Sequence, residues 1–273
     1  MTRPLFFGPA DAVRAAVPGG VFVLGGEEGR HAATVRRLAG GERLDVSDGA
    51  GYRIGGVIVS VGSGTVEVAV ESAGQDPVPQ HRLVLVQALA KGGRDEQAVE
   101  AATELGVDAV VPWHAERSVV RWRGDRADKG RQKWASLVAA ASKQSRRSFV
   151  PEVHAVMDTS RLAVWASAVD HLLVLHEDAE GSLAERVSDL RAAGSPEPTS
   201  SIAVVVGPEG GISEAEFGKL RAVGATAARL GPHVLRSSSA GPAALVLMNH
   251  LLGRWDSEPS GTRIMDGPTS PAT

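Results

Sequence analysis

The sequence predicts an α/β protein in which a parallel-sheet domain follows a small β-barrel domain. Residues 21–70 contain short apolar alternations separated by Gly-rich turns, a pattern typical of a small barrel. From Leu83 onward, apolar runs alternate with helical patterns, as in a parallel sheet with crossover helices. The chain has 273 residues, of which 43% are hydrophobic and 22% charged. This length and composition suffice for two globular domains.

Four short strands, one helix and a linker make up the predicted barrel region. The strands are expected at 21–24, 43–46, 57–59 and 66–70, and the helix at about 29–38. Pro77 and Pro79 lie in a stretch that reads as a linker. We therefore place the first domain at residues 1–74 and the linker at 75–82.

The second domain contains five predicted strands and at least two helices. Buried strands are expected at 83–89, 107–112, 172–176, 202–206 and 226–230. One helix follows the first strand and stops at Gly106, a residue suited to the left-handed C′ position. Ser213 and Glu216 form a capping-box pattern that opens another helix, which ends at Gly224. The domain spans 83–253, and the Pro-, Gly- and Ser-rich tail 254–273 is expected to be disordered.

Composition excludes several classes of protein. The chain has no cysteine, which rules out disulfides, thiolate metal sites and a Cys nucleophile and fits a reducing cytoplasm. The longest apolar stretch, 240–252, is broken by Pro242 and is too short for a membrane helix. There is no P-loop, no H-x-x-x-H pair and no G-x-S-x-G elbow. We expect a cytoplasmic protein without a metal site or a membrane partner.

Charge is unevenly distributed along the chain. Residues 113–150 hold ten basic and three acidic residues, a net charge of +7, although the whole chain carries -3. Such a window in an acidic protein attracts polyanions, and Trp122 and Trp134 could add stacking surfaces for nucleic acid. The alternative is an ordinary solvated helical face.

Three loops follow predicted strands and point to a pocket. His176 and Glu177 follow one strand, the segment 207–211 (Gly-Pro-Glu-Gly-Gly) follows the next, and 231–239 follows the last. In open α/β sheets, ligands bind outside the carboxyl ends of the strands. The alternative is that 207–211 is only a tight turn before a capped helix.

Several short motifs occur in a fixed order and carry a family resemblance. They are Lys91-Gly92-Gly93, the segment 103–107, Glu116-Arg117-Ser118, the segment 144–147 with Val150-Pro151, the segment 207–211 and the segment 235–240. Together they resemble the RsmE family, the 16S ribosomal RNA uridine-N3 methyltransferases of the SPOUT superfamily. The resemblance runs from about Arg3 to Leu252. One departure is Ser237-Ser238-Ser239-Ala240, where members often carry Thr-Glu-Thr-Ala, which puts a catalytic role for Ser238 in doubt.

The resemblance implies a fold, a cofactor and partners. SPOUT enzymes form a trefoil knot that holds S-adenosylmethionine and act as homodimers, and in RsmE-like proteins a PUA-like barrel precedes the knotted domain. The implied partner is the 16S rRNA of the small ribosomal subunit. Two alternatives remain: an RNA- or ribosome-binding assembly factor without turnover, and a methyltransferase that acts on the ribose 2′-oxygen.

Site residues follow from the same resemblance. Arg236 would stabilise negative charge on a uracil oxygen, and Glu209 or His176 would accept the N3 proton. Electrostatics at a helix N-terminus is the alternative for Glu209, and simple packing is the alternative for His176. The expected cofactor-binding residues are Leu175, His176, Gly207, Pro208, Glu209, Gly210, Gly211, Leu230, Gly231, Val234, Leu235, Ser239 and Ala240. The expected RNA-binding residues are Arg3, His31, Arg36, Arg37, Lys91, Arg117, Arg121, Arg146 and Arg147.

Overall fold

The structure, a computed structural model, describes residues 3–193 and 200–256. These residues form two compact units. The first contains residues 3–48, 52–76 and 255–256, and the second contains 49–51, 77–193 and 200–254. None of the helices within these ranges is long and apolar enough to cross a membrane.

The first unit is a five-stranded sheet with short helical segments. Its elements along the chain are β1 (Leu5–Phe7), α1 (Ala10–Ala15), β2 (Val21–Leu24), α2 (Gly26–Arg30), a π-helical turn (His31–Val35), β3 (Arg43–Ser47), β4 (Tyr52–Val61) and β5 (Val66–Gln75). The strand order is β1-β3-β4-β5-β2, in which β1 is parallel to β3 and the other pairs are antiparallel. Phe6, Phe22, Leu44 and Ile54 lie in its core.

Strands β4 and β5 are longer than the sequence predicts. Gly55 and Gly56 lie inside β4, at an irregularity in its pairing with β5. A Cβ atom on Gly56 would lie only 2.2 Å from the carbonyl oxygen of Ala69, so glycine permits a close strand-to-strand approach. The predicted helix at 29–38 is also displaced, because the helical segment runs from 26 to 35.

The second unit is a seven-stranded parallel sheet with helices on both faces. Its elements are β6 (His81–Ala88), α3 (Arg94–Glu104), β7 (Ala109–His114), α4 (Asp125–Gln144), β8 (Glu152–Val153), β9 (Met157–Asp158), α5 (Thr159–Ala166), β10 (His171–Leu175), α6 (Leu183–Ala193), β11 (Ser200–Val206), α7 (Glu214–Arg221), β12 (Thr226–Ala228) and α8 (Ser237–Leu251). The strand order is β12-β10-β11-β6-β7-β8, with β9 beside β7, and all pairs are parallel. The predicted parallel α/β domain is confirmed.

Strand β6 shows why these sequences form a sheet covered on both faces. Leu83 and Leu85 pack into a core with residues of α3, α4 and α8. Their neighbours Val84 and Val86 point the other way, into a core with residues of α5 and α7. Because successive side chains of a strand alternate between faces, a continuous apolar run is expected where both faces are buried.

The predicted helix signals act as expected. Helix α3 ends at Glu104, and Gly106 follows with a φ of +98°, the conformation that glycine tolerates best. Ser213 caps α7 and forms a capping box with Glu216. Helix α7 ends at Arg221, three residues before the predicted stop at Gly224.

The predicted disordered tail begins at Arg254, but this residue belongs to the fold. Its guanidinium donates to both carboxylate oxygens of Asp108, at 2.7 and 3.2 Å, and to the carbonyl oxygens of His81 and Gly106. The side chain is only 10% exposed, so the expected disorder is wrong for this residue. Pairing with a distant carboxylate leaves no local signal in the sequence. Residues 257–273 of the predicted tail lie outside the described residues.

Three histidines of the second unit are expected to make stability depend on pH. Burial lowers the pKa of His81, His114 and His154 below the ordinary 6.5. These histidines therefore take up protons near pH 6.5 in the unfolded chain but only at lower pH in the folded protein, so stability is lost as the pH falls. Denaturant unfolding at pH 7.5, 6.5 and 5.5 should show a decreasing free energy of unfolding. His114→Gln, which cannot titrate, should reduce this slope, and an unchanged slope would contradict the assignment for His114.

Candidate active site

A cleft of about 690 Å³ lies at the carboxyl ends of β10, β11 and β12 in the second unit. Its walls come from the loop after β10, the segment 207–212 after β11, the segment 229–236 after β12 and the first residues of α8. The volume is in the range of small-molecule sites, and the position is where open α/β sheets bind ligands. The expected meeting of the three loops is confirmed.

Most residues expected to bind a cofactor line this cleft. They are Leu175, His176, Gly207, Pro208, Glu209, Gly210, Gly211, Leu230, Gly231, Val234, Leu235 and Ala240. Ser239 is not among the lining residues and is exposed. Successive helix residues point about 100° apart, so Ser237 and Ala240 share the cleft side of α8 and Ser239 points elsewhere. Ser237, which was not among the expected cofactor-binding residues, lines the cleft where Ser239 was expected.

The glycine loop, defined as residues 207–211, combines a tight turn with an open wall. The N-H of Gly211 donates to the carbonyl oxygen of Pro208 at 2.9 Å, and Gly211 has a φ of +75°. A Cβ atom on Gly207 would lie 2.7 Å from Cγ1 of Ile212. The glycines therefore satisfy the turn and packing requirements while leaving backbone exposed to the cleft.

Two arginines that follow neighbouring strands donate hydrogen bonds to the glycine loop. Nη1 of Arg94 donates to Oε1 of Glu209 at 2.9 Å, and Nη1 of Arg117 donates to the carbonyl oxygen of Gly210 at 2.9 Å. Arg94 follows β6 and Arg117 follows β7, the next two strands beyond β11. Arg117 was expected to bind RNA, and Arg94 was not expected in the site at all.

Helix α8 presents its N-terminus to the cleft. The carbonyl oxygen of Arg236 accepts the N-H groups of Ser239 and Ala240 at 2.8 and 2.9 Å. Within the part of the chain that the structure describes, the exposed side chain of Arg236 has no hydrogen-bond or ion-pair partner. The buried Oγ of Ser237 also has none. The cleft thus contains a free cation and an unsatisfied hydroxyl at a helix N-terminus, which together favour an anionic or polar ligand group.

His176 is fixed at the other side of the cleft. Its Nδ1 accepts the backbone N-H of Asp178 at 3.2 Å, and its ring centroid lies 5.9 Å from that of Phe217. An Nδ1 that accepts a backbone hydrogen bond places the ring proton of the neutral form on Nε2. The packed-histidine alternative agrees with these contacts.

Sequence reasoning missed several lining residues. They are Arg94, Glu177, Asp178, Val206, Ile212, Glu214, Arg229, His233 and Ser237. Glu177, His233 and Ser237 lie inside the predicted loops but were not among the expected cofactor-binding residues. The others, except Arg94, lie within three residues of those loops, so wider boundaries would have included them. Arg94 follows the Lys91-Gly92-Gly93 motif, and only the adjacency of β6 and β11 brings it to the cleft.

The expected RNA-binding residues of the first unit occupy different environments. Arg3 lies 3.6 Å from Asp45 in an ion pair, and His31 packs edge-on against Phe6 with ring centroids 5.9 Å apart. Arg36 and Arg37 are exposed directly after the π-helical turn. These two arginines are the ones whose charges face solvent.

In the second unit, Arg147 departs from expectation. Lys91, Arg117 and Arg146 are exposed, and Arg121 donates to the carbonyl oxygen of Glu116 at 2.7 Å. Arg147, by contrast, is 16% exposed and donates to the carbonyl oxygen of Thr103 at 2.7 Å. Burial lowers its pKa to about 10. A guanidinium held in this way does not reach RNA phosphates, so the expectation for Arg147 is wrong.

The suggested tryptophan stacking surface is also corrected. Trp134 is fully buried in the core beneath α4. The Trp122 ring lies against it with centroids 5.3 Å apart, and a Cβ atom on Gly130 would lie 2.5 Å from the Trp122 ring. The two rings pack the segment after β7 against α4. The cations of the +7 window are then the feature that is expected to attract polyanions.

Among residues 3–193 and 200–256, no group of three or more His, Asp or Glu side chains is placed to hold a metal ion.

Comparisons with known proteins agree with the motifs. The family model described as an RNA methyltransferase domain matches residues 76–249, and the model described as an RNA methyltransferase PUA domain matches residues 24–71. The ribosomal RNA small subunit methyltransferase E of Mycobacterium tuberculosis is 41% identical over 252 residues, covering 91% of this chain and 93% of its own length. The protein of the same name from Bacillus subtilis is 30% identical over 231 residues, covering 84% and 90%.

A solved structure has the same fold. The ribosomal RNA small subunit methyltransferase E of Neisseria gonorrhoeae, bound to S-adenosyl methionine, superposes with a TM-score of 0.75 at 25% identity, covering 92% of this chain and 98% of that one. The expected PUA-like first unit and α/β second unit are therefore confirmed. The RNA methyltransferase family model matches more than half of this chain, and the relative from Mycobacterium tuberculosis is matched over nearly the whole of both chains. The chain therefore belongs to the RsmE family of RNA methyltransferases.

Proposed function

We propose that this chain is an S-adenosylmethionine-dependent methyltransferase that methylates N3 of a uridine in the 16S rRNA of the small ribosomal subunit. The cleft carries the proposal, because it combines a glycine loop, an apolar wall and the unpartnered Arg236 in one cavity. The relatives named above supply the RNA class, and the N3 position rests on the family resemblance.

The residues of the cleft fit the cofactor. Val234 and Leu235 are 76% and 41% exposed, and together with Leu175 and Leu230 they offer an apolar wall for an adenine ring. The buried Oγ of Ser237 supplies a hydrogen-bonding group. The glycine loop lets the ligand approach its backbone closely. When bound, S-adenosylmethionine supplies a sulfonium methyl group that is already activated for displacement.

The protein's main tasks are then to position N3 of the uracil beside the methyl group and to stabilise the negative charge that develops on the base. N3 of uracil carries a proton at neutral pH, and negative charge spreads to the adjacent carbonyl oxygens as that proton leaves. Arg236 can donate to such an oxygen because its guanidinium has no partner among the residues that the structure describes. The N3 edge must be unpaired to reach the cleft, as with other enzymes that act on bases.

Acceptance of the N3 proton by Glu209 or His176 remains a prediction. Oε1 of Glu209 is held by Arg94, and Nδ1 of His176 is held by a backbone N-H. Oε2 of Glu209 has no partner among the described residues and can accept. Nε2 of His176 carries the proton of the neutral ring while Nδ1 accepts, so His176 could accept at Nε2 only in the other tautomer, which gives up its bond to Asp178. To accept the proton, either group must come within hydrogen-bond distance of N3 of the uracil.

RNA binding is assigned to the exposed cations. In the first unit these are Arg36 and Arg37, and in the second unit they include Lys91 and Arg117. Contacts of this kind neutralise phosphates and weaken as salt is added. The cytoplasm, where ribosomal subunits are present, is the proposed site of action.

We extend the proposal to the knot and the dimer of the SPOUT superfamily. Strand β10 separates β12 from β11, yet α8, which follows β12, packs against β11 and β6. The backbone of Arg229 also bonds to Gly181, in the loop after β10, and to Leu183, the first residue of α6. This crossing supports a threaded chain end. Val246, 39% exposed on α8, offers apolar surface to a second copy.

Titration calorimetry with S-adenosylmethionine separates this function from the assembly-factor alternative. We expect binding in the micromolar-to-millimolar range typical of enzyme ligands, followed by transfer of labelled methyl groups to small ribosomal subunits. Binding without transfer to RNA, or no binding, would favour an assembly factor. Label in a nucleoside that carries the methyl on its ribose would favour the 2′-oxygen alternative.

A further inference from the structure

Glu216 is a buried carboxylate with no cationic partner. It is 4% exposed, and none of the ion pairs among the described residues includes it. Its Oε1 accepts the backbone N-H of Glu116 and the hydroxyl of Thr159, both at 2.7 Å, and its Oε2 accepts the N-H of Ser213 at 3.2 Å. The capping box explains only the last of these bonds. The N-H of Glu116 and the hydroxyl of Thr159 are therefore two donors that the cap of α7 does not need. Together with Ser213 they satisfy the carboxylate, as a buried charge requires.

The donors to Glu216 come from three separate segments at the carboxyl edge of the sheet. Glu116 follows β7, Thr159 begins α5 and Ser213 caps α7. Two further bonds close the network: Oγ of Ser213 donates to Oε2 of Glu116 at 2.6 Å, and Nε1 of Trp113 donates to Oγ1 of Thr159 at 3.2 Å. Fully satisfied networks of this kind hold their members rigidly.

This network flanks the glycine loop on both sides. Glu116 directly precedes Arg117, which donates to the carbonyl oxygen of Gly210. Ser213 lies two residues after Gly211, the end of the loop. Because the network holds Glu116 and Ser213 in place, it fixes the backbone next to each partner of the contact between Arg117 and Gly210.

We propose that Glu216 is a positioning residue of the methyltransferase, which sets the shape of the glycine loop through Glu116 and Arg117. It does not touch the cofactor or the acceptor. The inference rests on the proposed function, because the glycine loop is taken as a wall of the S-adenosylmethionine site. Arg117 then holds the glycine loop in place, in addition to making the RNA contact expected of it.

Glu216→Gln and Arg117→Ala test the proposal in the full-length chain. Gln keeps the shape of Glu216 but turns one acceptor into a donor facing the N-H of Ser213. By calorimetry, each variant should raise the Kd for S-adenosylmethionine about tenfold. The double variant should lose little more than the worse single variant, because both act on one contact. Glu100→Gln, an exposed change on α3, should bind as wild type does.

Hydrogen exchange of the ligand-free protein provides a readout that does not depend on the cofactor. Amides of residues 209–212 should exchange faster in both variants, while the central strands β6 and β11 keep their protection. Unchanged exchange in the loop, or wild-type affinity in both variants, would overturn the proposal. A lower unfolding midpoint for Glu216→Gln with wild-type affinity would reduce Glu216 to a structural group. Absence of binding by the wild type would instead count against the proposed function.

Discussion

Arg236→Ala is expected to lower kcat by about 10²- to 10³-fold, the loss seen when one charge-stabilising donor is removed from an active site. The Kd for S-adenosylmethionine should change little. The side chain of Arg236 lines the cleft but has no partner within the part of the chain that the structure describes, so its removal leaves no protein group unsatisfied. Its backbone carbonyl, which accepts the N-H groups of Ser239 and Ala240, is retained in the variant.

Arg236→Lys is the matched control. Lysine keeps the positive charge but loses the planar fork of donors, so activity should be intermediate between alanine and wild type. Single-turnover transfer of labelled methyl groups to small ribosomal subunits measures the chemical step, and calorimetry measures the cofactor. Wild-type turnover in Arg236→Ala would remove this residue from the mechanism. Loss of cofactor binding alone would make it a binding residue.

Asp108→Ala is expected to destabilise the second unit by about 3–5 kcal/mol, the cost of breaking a buried ion pair by removing one partner. The carboxylate accepts a bidentate pair from Arg254 and the N-H of Leu83 at 2.8 Å, and it lies 3.7 Å from Arg147. Its removal leaves two guanidiniums, 10% and 16% exposed, without their counter-charge. Denaturant unfolding measures the loss.

The pair of Arg82 and Glu152 provides a control of equal length. Its N-O distance is 2.7 Å, the same as that of Arg254 and Asp108, but its side chains are 44% and 55% exposed. Glu152→Ala should therefore cost no more than about 1 kcal/mol. Equal losses in the two variants would show that burial does not control the strength of these pairs. Asp108→Asn, which keeps the side-chain shape, provides a second variant if alanine prevents folding.

Local patterns in the sequence were sufficient to predict much of the fold. The run from Leu83 to Leu89 and the capping box at Ser213 each encode their structure within a few residues, since periodicity and cap chemistry are local properties. The three loops of the cleft were predictable for a related reason. Each directly follows a recognisable strand, and parallel strands bring their carboxyl ends to the same edge of the sheet.

The errors concern side chains whose surroundings come from distant parts of the chain. The sequence predicted Arg147 as an RNA-binding cation and Arg254 as the first residue of a disordered tail, but both side chains are largely buried beside Asp108. Trp134 reads as a possible stacking group but is enclosed by residues of other elements. Glu216 reads as a helix cap, and its further bonds span 57 and 100 residues of sequence. Such pairings depend on tertiary contacts that no local pattern specifies.

Mass mapping of 16S rRNA nucleosides from a strain that lacks this protein tests the central claim most directly. If the cleft brings a sulfonium methyl to the N3 of one uridine, a single N3-methyluridine should disappear and return when the wild-type chain is restored, but not when Arg236→Ala is supplied. Persistence of every N3-methyluridine, or the loss of a different methylated nucleoside, would contradict this account.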